Sequence, residues 1–178
     1  MAVILVTGAS GQLGSEIKAA SGHYSGYEFI FTDADNLDIT DAIAVNDFVV
    51  KNRPDWIINC AAYNFVDRAE TDSETAFRIN ATAVNNLAES IKGAETRLIH
   101  VSTDYVFDGS SNTPYNENSA VNPQSAYGKS KLEGERFALM HNGTMVIRTS
   151  WLYSSFGNNF VKTMLRLGKE KESVNVVF

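Results

Sequence analysis

The chain has 178 residues, 44% of them hydrophobic and 20% charged, which is enough for one well-buried core and too little for two ordinary domains. Its formal net charge of -6 excludes the basic footprint of a protein that binds a nucleic acid polymer. Cys60 is the only cysteine, which excludes an internal disulfide; the start MAVILVTG has no basic leader, and no stretch reaches the ~20 apolar residues of a membrane span, so a cytoplasmic protein with no membrane partner is expected.

Ala2 to Val6 is an apolar run of strand length, followed by a glycine turn, and Gln12 to Ala20 reads as the first helix. Glu28 to Phe31 predicts a second strand that ends at Thr32 and Asp33. Thr40 and Asp41 can cap a helix carrying Ile43, Val45, Phe48 and Val49. That helix ends at Asn52, Arg53 and Pro54, because proline disfavours helix in the residue before it. Trp56 to Cys60 predicts the third strand. Thr75 to Ala94 predicts a long amphipathic helix, with Phe77, Ala81, Val84, Leu87, Ala88 and Ile91 in one buried stripe. Leu98 to Val101 and Met145 to Arg148 read as the fourth and fifth strands, with a helix from about Ser125 to His141 between them. Asn158 to Lys169 predicts a further helix.

The alternation of strands and helices is that of a Rossmann-type, doubly wound α/β domain with a parallel sheet covered on both faces. Ser173 to Phe178 is a last aliphatic run of strand character. A buried strand needs cover on both faces, so this run predicts that a C-terminal substrate lobe has been cut away; a terminal edge strand is the alternative. Residues 1–178 are then expected to form a single domain, the N-terminal part of a longer protein.

Four segments carry chemistry. In TGASGQLG, Gly8, Gly11 and Gly14 follow directly on the first strand with the spacing G-x-x-G-x-x-G. Such a turn lets a pyrophosphate approach the backbone and meet the free amides of a helix N-terminus. The same glycines would also serve a tight turn with no ligand. Asp33 stands at the end of the second strand, where ribose hydroxyls are held. A carboxylate there accepts from a 2′-hydroxyl and repels a 2′-phosphate, which favours NADH over NADPH.

The second segment is Tyr127-Gly-Lys-Ser-Lys131, whose phenol and ammonium share a helix face at i and i+4. A nearby cation favours the phenolate, so Tyr127 can donate a proton to a carbonyl oxygen while Lys131 reaches the nicotinamide ribose. Alone, this pair is equally a solvated helix pair. The third is VSTDYVFDG, Val101 to Gly109, presented beyond the fourth strand, where ligands of open parallel sheets sit. Thr103 offers a hydroxyl to a substrate oxygen, although Ser102-Thr103-Asp104 is also ordinary turn chemistry. The fourth is NCAAYNFVDRAE, Asn59 to Glu70, where small Ala61 and Ala62 let a flat cofactor pass, while Asp67 and Glu70 start or cap the next segment. His23, His100 and His141 lack metal-ligand spacing, and no metal ligand is assigned.

These motifs, together with Asp38-Ile-Thr-Asp41 and RTSW followed by GNNFVKTML, resemble those of the dTDP-4-dehydrorhamnose reductases, within the extended short-chain dehydrogenase/reductases. The likeness runs over essentially the whole chain. It implies Thr103, Tyr127 and Lys131 as the catalytic group, with Gly11, Gln12 and Leu13 at the pyrophosphate. Asp38 and Ile39 would border the adenine, and Ala62, Tyr63 and Asn64 would line the nicotinamide side. Asp104 and Trp151 would touch the sugar nucleotide, Trp151 being equally a core residue. The implied reaction is reduction of the 4-keto group of a dTDP-linked 6-deoxyhexose by NADH or NADPH. The resemblance also implies a homodimer with a magnesium ion at its contact, for which Glu16 is the matching residue and the other ligands would lie beyond Phe178. Without the family's C-terminal lobe, the chain is expected to keep cofactor affinity and lose most turnover. Two other readings are a nucleotide-sugar epimerase or dehydratase of the same superfamily, and a non-catalytic regulatory subunit of the methionine adenosyltransferase type.

Overall fold

The computed structural model describes residues 1–174. Strands β1 (Ala2–Thr7), β2 (Tyr27–Thr32), β3 (Trp56–Asn59), β4 (Arg97–Thr103) and β5 (Thr144–Thr149) pair in parallel in the order β2-β1-β3-β4-β5. Each parallel step needs a crossover. Helices α1 (Gln12–Ser21), α2 (Ala42–Asn52) and α6 (Ala126–Leu139), and a helical stretch over 73–90, supply them. This is the Rossmann-type parallel sheet that the alternating pattern predicts. Thr7 is level with Thr32 and with Asn59, and Thr103 with Thr149, so the carboxyl ends of the strands share one edge. The chain winds one way to β2 and the other way to β3, β4 and β5. A crevice therefore opens at the carboxyl ends of β1 and β3, where ligands of such sheets bind.

Leu5, Ile57 and Leu98 lie fully buried at the centre of the sheet, against Val45 and Val49 of α2 and Val84 and Leu87 of the helical stretch. Each such side chain stabilises the fold by about 1.5–3 kcal/mol. The Asp41 side chain caps α2 by accepting from the backbone of Ile43 and Ala44, as the sequence suggested. Arg53 ends the helix in the left-handed region, at φ 44°, just before Pro54. Val45 and Val49 carry the buried face of α2, and Ile43 is 75% exposed.

The long helix expected over 75–94 needs correction. It begins earlier, as α4 (Ser73–Phe77), passes through a π-helical turn (Arg78–Thr82), and ends early, as α5 (Ala83–Ser90). The wide turn shifts the helical register, so Phe77 leaves the stripe and stands 36% exposed while Asn80 turns inward. Tertiary packing is the reason. Helix α6 approaches so closely that a Cβ on Gly134 would lie 2.0 Å from the Asn80 carbonyl oxygen. A short helix α3 (Val66–Ala69) precedes α4. Helix α7 (Phe160–Glu170) has no fully buried residue. Of the strand expected over 173–178, residues 173–174 form no strand and residues 175–178 lie outside the described residues. No described helix is long and apolar enough to cross a membrane.

Candidate active site

The glycine turn is built by three glycines with different duties. Gly8 has φ +67°, and a Cβ there would lie 2.6 Å from the Ala61 backbone. A Cβ on Gly14 would lie 2.3 Å from the Gly8 carbonyl oxygen. Those two glycines let the turn pack on itself and on the end of β3. Gly11 meets nothing nearer than the Gly8 oxygen at 3.2 Å, and it lines an open cleft beside Ser10, Gln12 and Leu13. It is also the N-cap of α1, where no side chain caps the first amides. Those amides and the helix dipole are available to an anion.

Beyond β3, a buried relay fixes the backbone. Asn59 Oδ1 accepts from Thr7 Oγ1 at 2.7 Å and from the Ala61 N–H at 3.2 Å. Because an N–H needs an oxygen, the Asn59 amide is oriented, and its Nδ2 donates to His100 Nδ1 at 3.1 Å. Next along the chain, Cys60, Ala62 and Asn64 line the cleft. Tyr63 does not: its ring is buried with Ala69, Ala76 and Tyr127, while its backbone is held by Asn80. Asn80 Oδ1 accepts from Tyr63 N at 2.8 Å, and Nδ2 donates to Tyr63 O and to Ser130 Oγ, both at 3.0 Å.

At the end of β4, Thr103 caps a 3₁₀ turn (Asp104–Val106), accepting from Tyr105 N at 3.2 Å and donating to Asp104 Oδ1 at 3.1 Å. Turn chemistry and cleft position coexist at this residue. Helix α6, capped by Ser125, presents Tyr127 and Lys131 to the same cleft. The Tyr127 hydroxyl donates to Asn64 Oδ1 at 3.4 Å, and its ring meets Tyr105 edge to face. Burial pushes the phenol above its ordinary value; the neighbouring Thr103 hydroxyl opposes this, and the charge of Asp104 adds to it. Tyr127 is therefore held protonated, and the lowering expected from the Lys131 cation is not found: burial dominates, and the Lys131 Nζ is turned to Val101 O. Lys131 is 2% exposed, and its Nζ donates to Val101 O at 2.7 Å. Burial lowers its ammonium to about 8, against the favourable charge of Glu135.

The cleft measures about 560 Å³. Of the residues expected from the sequence, it joins Gly11, Gln12 and Leu13 to Ala62 and Asn64, and these to Thr103, Asp104, Tyr127, Lys131 and Trp151. Trp151 is not core: it is 65% exposed, with φ 53°, and edge-on to Phe160. A bulky residue in that region is strained. Asp33 lies behind the glycine turn, bound to Ser10, and does not line the cleft. Asp38 borders a separate hollow of about 420 Å³ with Asp35 and Asp47. Hydrogen bonds from the Thr40 backbone and hydroxyl hold its carboxyl below the usual range. Ile39 is buried in the core, and Asn86 Nδ2 donates to its carbonyl at 3.0 Å.

Apart from Trp151, sequence reasoning missed the wall made by the loop after β5. Asn159 Nδ2 donates to Gln12 Oε1 at 3.0 Å, and a Cβ on Gly157 would lie 2.9 Å from Gln12 Cγ. The loop therefore lies on the glycine turn, with Ser150, Leu152 and Asn158 facing the cleft. Its only local sign was the polar Gly-Asn-Asn run. Glu16 Oε1 accepts from Ser154 Oγ at 2.7 Å. Among the described residues no group of three or more His, Cys, Asp or Glu could hold a metal ion.

The sequence model of the RmlD substrate binding domain matches residues 1–178. The chain is 43% identical over 178 residues to a dTDP-4-dehydrorhamnose reductase of Aggregatibacter actinomycetemcomitans, covering 99% of this chain and 60% of the relative. It is 39% identical over 175 residues to a dTDP-4-keto-6-deoxy-D-glucose reductase of Streptomyces niveus, covering 97% and 60%. Among solved structures, a dTDP-4-dehydrorhamnose reductase from Clostridium acetobutylicum superposes with a TM-score of 0.94 at 46% identity, covering 98% of this chain and 62% of the other. One from Bacillus anthracis, in complex with NADP, gives 0.92 at 43%, covering 98% and 62%. The chain thus spans about 60% of the length of the curated relatives it matches.

Proposed function

The chain belongs to the family of the RmlD substrate binding domain, and from that membership we propose that the full-length protein is a nicotinamide-dependent reductase of the 4-keto group of a dTDP-linked 6-deoxyhexose. The observation that carries this reading is the meeting of Thr103, Tyr127 and Lys131 with the glycine turn in one cleft. Residues 1–178 are read as its NAD(P)-binding domain.

In this proposal the pyrophosphate meets Gly11, Gln12 and Leu13, where the first amides of α1 have no side-chain cap. Ala62, Asn64 and the Tyr63 backbone border the nicotinamide, and Asp38 and Ile39 the adenine. When bound, the nicotinamide supplies a hydride to the substrate carbonyl carbon. Tyr127 gives its proton to the carbonyl oxygen; burial keeps that proton on the phenol until the substrate oxygen takes on charge. To hold that oxygen, Thr103 turns its hydroxyl away from Asp104, since a hydroxyl has one proton to donate. Lys131 contacts the nicotinamide ribose, and Asp104 and Trp151 contact the sugar nucleotide. The Asp33 carboxylate repels a 2′-phosphate, which favours NADH. A cytoplasmic homodimer is part of the proposal. Glu16 alone does not make a magnesium site, and no step is drawn through a metal.

Relatives at 43–46% identity are named dTDP-4-dehydrorhamnose reductases, so dTDP-4-dehydro-L-rhamnose is the first substrate to try, and the keto sugar named for the Streptomyces niveus relative the second. The test is loss of 340 nm absorbance with NADH, this substrate and full-length protein, with Tyr127→Phe as control. Stoichiometric oxidation that falls about 10²–10⁴-fold in the variant supports the reductase. Turnover of a nucleotide sugar without net NADH consumption would establish an epimerase instead. Cofactor binding with no turnover at all would favour a regulatory subunit.

A further inference from the structure

The face of α6 that carries Tyr127 and Lys131 continues one turn further, to Glu135. Glu135 is 2% exposed and does not line the cleft. A carboxylate so far from water costs several kcal/mol unless it is matched. Arg148 of β5 matches it: Nε donates to Oε1 at 2.9 Å and Nη2 to Oε2 at 2.7 Å. The guanidinium lies over the Phe107 ring, 5.1 Å from its centroid, and is partly open to solvent. The pair is neutral as a whole but oriented, with its negative end buried one helical turn from Lys131.

Lys131 has few other sources of charge stabilisation. Its hydrogen bond to Val101 O is to a neutral group. Just after β3, Cys60 faces it as a neutral thiol, pushed up to about 12 by burial. From β4, His100 faces it as a neutral imidazole, lowered to about 3 by burial. From α6 itself, Tyr127 is a protonated phenol, and the charge of Asp104, which lines the same cleft, acts on Tyr127. Glu135 and Arg148 are charged groups that do not line the cleft. Burial disfavours the Lys131 ammonium, and the charge of Glu135 is the first influence that opposes it.

We propose that Glu135 is a positioning residue for Lys131: clamped by Arg148, its carboxylate is the fixed countercharge that keeps the buried ammonium charged at the cleft. The inference rests on reading Lys131 as a group that contacts the cofactor. An ammonium donates more strongly than an amine to a ribose hydroxyl, so a lost countercharge weakens Lys131 without moving it.

The test is an NMR titration of Lys131 in full-length protein labelled with ¹³C at the lysine ε carbon, its signal assigned by Lys131→Arg. The wild-type midpoint is expected near 8. Glu135→Gln leaves Arg148 unmatched and should lower the midpoint by about one pH unit, with the alkaline limb of NADH oxidation moving likewise. Glu135→Asp keeps the charge, so its midpoint should stay near wild type even if the protein is less stable. If Glu135→Gln does not fold, Glu135→Met with Arg148→Met replaces the pair by apolar side chains, which buried pairs often tolerate. A smaller fall in the same direction is then expected. An unmoved midpoint in the variant that folds overturns the proposal, as does an equal fall in Glu135→Asp. A lowered midpoint in a protein that never oxidises NADH keeps the proposal and removes the reductase reading. An unmoved midpoint with Tyr127-dependent turnover does the reverse.

Discussion

Ser10 commits both its backbone N–H and its hydroxyl to the carboxylate of Asp33, at 3.0 and 2.5 Å. The acid expected to select the cofactor therefore also pins the glycine turn to the end of β2. These two duties separate by substitution. Asp33→Asn removes the charge that repels a 2′-phosphate and keeps an oxygen for the Ser10 N–H. NADPH affinity relative to NADH should rise about tenfold, equivalent to about 1.4 kcal/mol. Ser10→Ala loosens the turn for either cofactor, so both should bind more weakly with their ratio unchanged. Titrations of each cofactor by fluorescence would check this; an unchanged ratio in Asp33→Asn would mean the carboxylate serves the turn alone.

The glycines divide in the same manner. In Gly14→Ala the new methyl meets the Gly8 oxygen at 2.3 Å and Ala9 Cα at 2.6 Å, both backbone atoms that cannot rotate aside. A loss of about 1–3 kcal/mol in urea unfolding is expected. In Gly11→Ala the nearest atom is 3.2 Å away and the backbone is extended. Stability should fall by at most about 1 kcal/mol, as alanine is a poorer N-cap than glycine, while the methyl occupies the space a pyrophosphate needs and cofactor affinity falls at least about tenfold. Equal stability losses in the two variants would contradict the division.

The five strands and most of the helices around them were legible because their signals are local: apolar runs of strand length, Asp41 before α2, Ser125 before α6, and Tyr127 four residues from Lys131 on one helix face; the order in which the strands pair was not. Other features depend on what another element brings close. Nothing in the sequence near Asn80 says that Gly134 will press against its carbonyl, so the π-helical turn and the outward Phe77 were invisible. The pairing of Glu135 with Arg148 joins a helix to a strand 13 residues on, and no periodicity announces it. Tyr63 is the reverse case. Its place beside the cleft was foreseen, but its ring packs inward and only its backbone lies next to Asn64.

Asn80 is the residue that makes that backbone rigid. Asn80→Ala removes the bonds to Tyr63 N, Tyr63 O and Ser130 Oγ and leaves the buried Tyr63 N–H without a partner. Each unsatisfied buried group costs about 1–3 kcal/mol, so a total loss near 3 kcal/mol is expected in urea unfolding. Cofactor affinity should fall as well, because Ala62 and Asn64 flank the freed segment. Full affinity in a destabilised variant would show that the segment reforms around the cofactor without Asn80.

His100 makes the fold sensitive to acid. Its Nδ1 accepts from Asn59, so the neutral ring carries its proton on Nε2, which has no partner among the described residues. Burial, helped by the Lys131 charge, lowers the imidazole to about 3. In the unfolded chain a histidine takes up its proton near 6.5. Between those values the unfolded state binds a proton that the folded state refuses, so stability falls as pH falls. The slope is at most about 1.4 kcal/mol per pH unit. Asp38 and Asp108, held low by hydrogen bonds from Thr40 and Ser110, add their own losses only as pH falls through the carboxylate range. The window from pH 6.5 to 5 therefore isolates His100. His100→Gln still offers an oxygen to Asn59 but cannot titrate. Urea midpoints should decline across that window in wild type and stay level in the variant; parallel declines would place the acid sensitivity elsewhere.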